Sequence, residues 1–401
     1  MTHKVLIGLG AAVLLAAGEA FAQDQRVQEA VTTAPPGGFP VGPLTVYPGV
    51  NLAIGHDDNL FLRPTNAKSS SYTVLSPYVR TEIKTGPHKF DLMLRVDDGR
   101  YHSSPADNYT DYSLGGNGDL VFSGRAGLKL RAEFRHGHDA RGATDAPVST
   151  TPDQYDNTSI DGVFRYGAPG ARGRLELNAG AFARRYTNNR TTTEASDRDT
   201  AALGGTFFWR VMPRTELLVQ LGHSDINYKQ STSTQDSTED RILVGVKWEA
   251  TAKTSGTAKF GHQNKKFDSA ARQDYSGSSW DVGVRWSPLT YSVLDFTSSK
   301  QPGESTGVGD VVVGKLYGVT WSHAWSSRLR TQALASYRED TFTDTAPARV
   351  DDTTSFGLKV AYDFRRWLRF GAELTHTERD STGANLNYKR NLLLFTVGAT
   401  L

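Results

Sequence analysis

Three patterns in this chain of 401 residues have residue types that could do chemistry. Gly309-Asp-Val-Val-Val-Gly314-Lys315-Leu316 nearly spells a phosphate-cradling loop, but it lacks the hydroxyl residue after the lysine that would hold magnesium. It also falls at a loop-to-strand junction and not before a helix, so an ordinary loop and strand start is the expectation. His136-Gly-His138-Asp139 puts two imidazoles on one face of a strand end, a partial metal-site pattern with no third ligand indicated. Ser, His and Asp are all present, yet no Gly-x-Ser-x-Gly occurs in a strand–turn–helix setting. The chain is therefore read as a non-enzyme, without a catalytic residue, metal ligand or cofactor site.

The larger constellation is one of alternating charges. Arg95, Arg131, Arg165, Lys247, Arg285, Lys359 and Arg369 accompany Glu133, Glu176, Asp281, Asp363 and Glu373, and each lies opposite an apolar stripe. Lys129, Arg174, Arg184, Asp91, Asp97, Asp161, Glu249 and Asp295 follow the same placement. Facing lipid would cost Arg or Lys about 2–4 kcal/mol at mid-depth, so these side chains are expected to face water or each other. They are candidates for the lining of a lumen, and cross-strand pairing that stiffens the wall is the plainer reading beside it. The balance of signs argues against a narrowly anion- or cation-selective pore.

Strands must position these groups. Ile242, Val244, Val246 and Trp248 alternate with Leu243, Gly245, Lys247 and Glu249. The same period of two runs through Trp280–Trp286, Phe356–Phe364, Leu128–Phe134 and Leu368–Leu374. Aromatic pairs such as Trp280/Trp286, Phe356/Phe364 and Trp321/Trp325 read as the ends of an apolar band. Connections alternate between tight turns, for example Thr85-Gly86-Pro87 and Ser287-Pro288-Leu289, and longer polar loops. The longest, Asp139–Gln154, is the best candidate for a constriction.

The chain starts with His3 and Lys4, an apolar run Val5–Ala17 and the A-x-A pattern Ala20-Phe21-Ala22. That is a secretory leader over residues 1–22, too short to span a bilayer as a helix of about 20 residues. Residues 23–45, with Pro35-Pro36-Gly37-Gly38, read as a periplasmic linker. Cysteine is absent, and 45 Lys plus Arg nearly cancel 43 Asp plus Glu, so a disulfide scaffold and a dedicated nucleic-acid binder are both disfavoured. Mean hydropathy is negative, which a transmembrane barrel permits because only alternate residues face lipid.

From Val46 to Leu401 the pattern gives an all-β, antiparallel, up-and-down transmembrane barrel of 18 strands, with 16 as the alternative. In the last strand Leu393, Phe395, Val397, Ala399 and Leu401 would face lipid, and Thr396, Gly398 and Thr400 the lumen. Its partner at closure should be the first strand, Val46–Asp58, with Pro48 tolerated only near the strand start.

Two stretches carry a family resemblance. Tyr47-Pro-Gly-Val-Asn-Leu-Ala-Ile-Gly-His-Asp-Asp-Asn-Leu-Phe61 with Leu75-Ser-Pro-Tyr-Val79 resembles the opening of the putative β-barrel porin 2 family. Glu378–Gly383 and Asn387–Asn391 are similar to that family's last hairpin. The resemblance implies an accessory of exopolysaccharide synthesis and export, and it supplies no catalytic residues. The chain departs from the usual barrel ending in finishing on Leu401 and not on an aromatic. The resulting expectation is a bacterial outer-membrane barrel forming a passive, water-filled pore, a conduit for exopolysaccharide. A general diffusion porin, a barrel enzyme acting on lipid or polysaccharide, and a plugged structural barrel are the alternatives. The implied partners are outer-membrane lipid, the β-barrel assembly machinery through the last strand, and polysaccharide export components, with no nucleic acid.

Overall fold

The computed structural model describes residues 38–400 apart from 145–148, 252 and 306. The expected leader and most of the expected linker lie outside the described residues. The strands are β1 (Phe39–Val41), β2 (Leu44–Asp57), β3 (Ser70–Thr85), β4 (His88–Tyr101), β5 (Tyr109–Val121) and β6 (Ala126–Asp139). Then follow β7 (Asp153–Tyr166), β8 (Gly173–Tyr186), β9 (Arg198–Met212), β10 (Thr215–Tyr228), β11 (Ser237–Thr251), β12 (Thr254–Phe267) and β13 (Tyr275–Leu289). The last are β14 (Ser292–Glu304), β15 (Val311–Ala324), β16 (Leu329–Phe342), β17 (Arg349–Arg365), β18 (Leu368–Ser381) and β19 (Tyr388–Thr400).

Among the described residues these form one sheet, in which each of β2 to β19 pairs antiparallel with its neighbours in sequence. β19 pairs with β2 from Leu392↔Asp57 to Thr400↔Gly49, so 18 strands close into a barrel. The expectation of 18 strands holds, and the alternative of 16 does not. Pro48 sits one residue beyond that pairing, where a missing amide donor costs no ladder bond to β19.

The strands form because apolar β-branched and aromatic residues recur at every second position, which suits a pleated surface buried on one side. On β4, Leu92 and Leu94 are 47% and 48% exposed, whereas Arg95 is 3% exposed. One face of the sheet is thus a set of exposed apolar rows, and the other carries polar side chains that range from buried, as at Arg95, to exposed, as at Arg131.

Two details differ from the sequence reading. The end of the linker is structured: β1 turns back on β2, with Phe39↔Val46 and Val41↔Leu44 in register. β13 also runs through Ser287-Pro288-Leu289, where a tight turn was expected, and the turn falls at Thr290-Tyr291. A register shift between Trp286 and Leu289 leaves Pro288 outside the ladder, which is how a strand tolerates proline.

The closure is reinforced at the loop-side end. Arg390 on β19 donates through Nε to Asp57 Oδ2 on β2 at 3.0 Å, and Asp57 is fully buried. At the other end Tyr78 Oη and Thr400 Oγ1 lie 2.6 Å apart. Asp57→Ala would take a carboxylate partner from the mostly buried Arg390 guanidinium, at a cost of up to about 3–5 kcal/mol. The variant is expected to lose its heat-resistant compact gel migration at a lower temperature than the parent. Unchanged migration would show that the closure does not lean on this pair.

Candidate functional site: the enclosed polar face

Alternation assigns each charged side chain to the face opposite the exposed apolar rows, and the structure shows how the charges are arranged there. Arg95 donates to both carboxylate oxygens of Asp97, through Nε at 2.9 and 2.8 Å, and through Nη2 to Ser76 Oγ at 3.2 Å. Arg131 and Glu133 pair at 2.6 Å. Glu176 pairs with Arg174, whose other nitrogen donates to Glu216 at 3.1 Å. Asp281 takes Lys259 at 2.6 Å, and Arg285 grips Asp295 through Nε at 2.6 Å and Nη2 at 2.9 Å. Lys359 reaches Glu373 at 3.5 Å. Asp363 accepts from Arg330 at 2.7 Å and from Arg369 at 2.6 Å.

Two candidates have other surroundings. Arg165 stands opposite Glu176 in the β7–β8 register. Lys247 lies 5.9 Å from the centre of the Phe208 ring, which Arg174 covers at 3.8 Å. Most of the set forms local pairs, two apart on one strand or across adjacent strands, Arg174–Glu216 reaches over β9 from β8 to β10, and the pairs share no single convergent centre. Such pairs fix rotamers and leave little uncompensated charge on the wall.

The other motifs resolve differently. His136 stacks on Tyr112, an outward residue, at 4.9 Å and bonds Asp156 at 2.7 Å. His138 lies 4.1 Å from the Tyr109 ring and bonds buried Asp111 at 2.9 Å. The expectation that both imidazoles share a face is therefore overturned. The β5–β6 register stops at Tyr112↔His136 while β6–β7 pairing continues to Asp139↔Asp153, and His138 leans onto Tyr109 and Asp111 of β5. In the phosphate-loop-like stretch Lys315 is held by Glu339 at 2.6 Å, and no helix follows. Gly309 has φ of 74°, and a Cβ there would lie 2.6 Å from Thr343 O, so this glycine answers to loop packing. Trp321 and Trp325 do not bracket a band: they cluster around His323 at 5.3 and 4.3 Å on the short-turn side.

Sequence reading missed an aromatic arc on the loop-side inner wall. Tyr72 and Tyr101 lie 5.3 Å apart, Tyr101 and Tyr109 6.4 Å, and Tyr155 and Tyr186 5.9 Å. Arg184 covers Tyr155 at 4.3 Å, and Tyr186 Oη donates to Asp139 at 2.8 Å. The signal was present, since a tyrosine recurs within two residues of a strand's loop-side end on β3, β4, β5, β7, β8 and β10. The described part of the loop Asp139–Gln154, expected as a constriction, is anchored to other loops. Arg141 pairs with Asp107 through Nε at 2.7 Å and covers Phe61 at 4.3 Å, which ties this loop to its rim neighbours 102–108 and 58–69.

A closed antiparallel barrel with apolar rows outside and paired charges inside is a bacterial outer-membrane β-barrel of the porin type. Residues 34–401 match the family described as Putative beta-barrel porin 2, and the chain belongs to that family. It is similar in fold to OpdK of Pseudomonas aeruginosa, solved with vanillate, at 13% identity and a TM-score of 0.52, covering 89% of this chain and 99% of that one. A BenF-like porin from Pseudomonas fluorescens Pf-5 is similar at 12% identity and a TM-score of 0.51, covering 90% and 100%. A search of curated proteins finds no match.

The two faces can be told apart chemically because the chain has no cysteine. In lipid vesicles Gly357→Cys is expected to react with a hydrophilic maleimide and its neighbour Leu358→Cys to resist it. Equal reactivity would refute the assignment of faces. Leu358→Arg should also lower unfolding stability by about 2–4 kcal/mol in denaturant titration.

Proposed function

We propose that the enclosed face lines a passive, water-filled pore and that its cargo is an exported polysaccharide. The observation that carries this reading is the local neutralisation of the inner wall. Arg95, Arg131, Arg285, Lys359 and Arg369 each have a carboxylate partner on the same wall. A wall of neutralised pairs offers many hydrogen-bonding groups and little net field, which suits an uncharged polyhydroxylated chain better than a small ion. Barrels of about 16–18 strands leave an aqueous channel, so the strand number is compatible with passage. The family resemblance to exopolysaccharide export accessories supports the cargo class. In this reading the β-barrel assembly machinery inserts the chain and export components feed it from the periplasm.

A diffusion pore for small polar solutes is the second reading, favoured by the likeness to OpdK, whose structure was solved with vanillate. Planar-bilayer recordings separate the two. Step conductance with transient block by neutral oligosaccharides, and none by vanillate, is the expected result. Block by vanillate alone would favour the small-solute reading. Deletion of the gene is expected to reduce surface polysaccharide, and unchanged secretion would sink the export reading.

A further inference from the structure

β14 follows β13 only part of the way. Their pairing runs from Leu289↔Ser292 to Trp280↔Lys300 and stops, whereas β14–β15 pairing continues from Gln301↔Gly314 to Glu304↔Val311. The tip of this hairpin has left the wall beside β13. Its destination is given by Glu304. The Glu304 carboxylate accepts from Tyr228 Oη on β10 at 2.7 Å and pairs with Lys265 on β12. Both partners alternate with exposed rows, Leu217, Val219 and Leu221 on β10 and Phe260 on β12, so both point into the barrel.

Three strands lie between β10 and β14, and at about 4.8 Å per strand the two positions are about 19 Å apart along the wall. A direct contact over that separation requires the hairpin tip to lean across the interior. The contact is also fully enclosed. Lys265 has no exposed surface, and its Nζ lies 3.1 Å from Glu239 Oε1 as well. The loop beyond β14 is anchored in the same direction. Asp310 accepts from Arg272 Nη1 at 3.0 Å and from the Gln273 amide at 2.8 Å. From behind, loop 343–348 closes on Gly309, leaving no room there even for a Cβ.

We infer that the β14–β15 tip is the constriction of this channel on its loop side, latched by Glu304, Lys265 and Tyr228, and that it sets the size of what passes. This inference rests on the pore reading. An enclosed charged contact is a costly way to tidy a loop, because both ions lose water and regain it only through each other. Its advantage is geometric: a lysine held by carboxylates on two different strands admits one position of the tip. In the strand order the tip stands across the barrel from the aromatic arc on β3–β8, so the opening is bounded by a braced wall and a latched hairpin.

The absence of cysteine makes the test direct. Tyr228→Cys with Glu304→Cys is treated with a cleavable bis-maleimide on the folded, membrane-inserted protein, and each single variant serves as control. The double variant alone should cross-link. Its bilayer conductance should stay at the parent level while linked, whereas Glu304→Gln with Lys265→Met should conduct about two-fold more or higher. Heat-resistant gel migration reports folding in each case. If the latch-cut variant does not fold, a variant with residues 305–310 replaced by two glycines takes its place, with the same rise expected. Parent conductance unchanged by cutting the latch would overturn the constriction and leave the pore standing. Failure of every form to conduct would overturn the pore reading, and the constriction with it. Absence of a cross-link in the folded double variant would overturn the geometry itself.

Discussion

In hydrocarbon an unpaired backbone amide has no water to bond, so each strand of this chain needs a partner on both sides. The pairing of β19 with β2 meets that demand for the two strands that would otherwise be edges. Everything else follows from closure. Once the sheet has no edge, every strand has one face turned to lipid and one turned inward, and the period of two in the sequence becomes a division between solvents. The buried Asp57–Arg390 pair and the Tyr78–Thr400 contact stand at the two ends of the closing ladder, where fraying would begin.

The inward face solves a problem that closure creates. Charges that avoid lipid must be satisfied inside. The wall meets this with short-range partners. Arg285 and Asp295 sit opposite one another in the β13–β14 register, and Arg95 and Asp97 are two apart on β4. Pairing at this range fixes the side chains to the wall and stiffens it. Towards the loops the solution changes to aromatic packing with arginine over tyrosine, as at Arg184 and Tyr155.

Much of the fold was legible because one physical rule repeats. Ile242, Val244, Val246 and Trp248 announce a strand wherever the chain is folded, since a half-exposed sheet in lipid permits few other patterns. Errors arose where a local rule met a wider one. Ser287-Pro288-Leu289 has the composition of a turn, yet a bulge carries β13 through it. His136 and His138 share a face in an ideal strand, but β6 loses its pairing with β5 between them, and they bond Asp156 and Asp111 respectively. Pairs such as Arg131–Glu133 could be read directly, because two residues apart on a strand means one face and adjacent positions.

The amino-acid sequence by itself determined the number of strands, their order and which face of each carries charge, because these depend only on the period along the chain and the nearest connection. The tertiary structure decided which charges meet. Glu304 could not be paired with Tyr228 or Lys265 from the sequence, because their contact depends on where β14 parts from β13 and how far its tip leans inward. Alternation gives the side of the wall on which a residue stands. Only the curvature of the closed sheet brings residues on non-adjacent strands within reach.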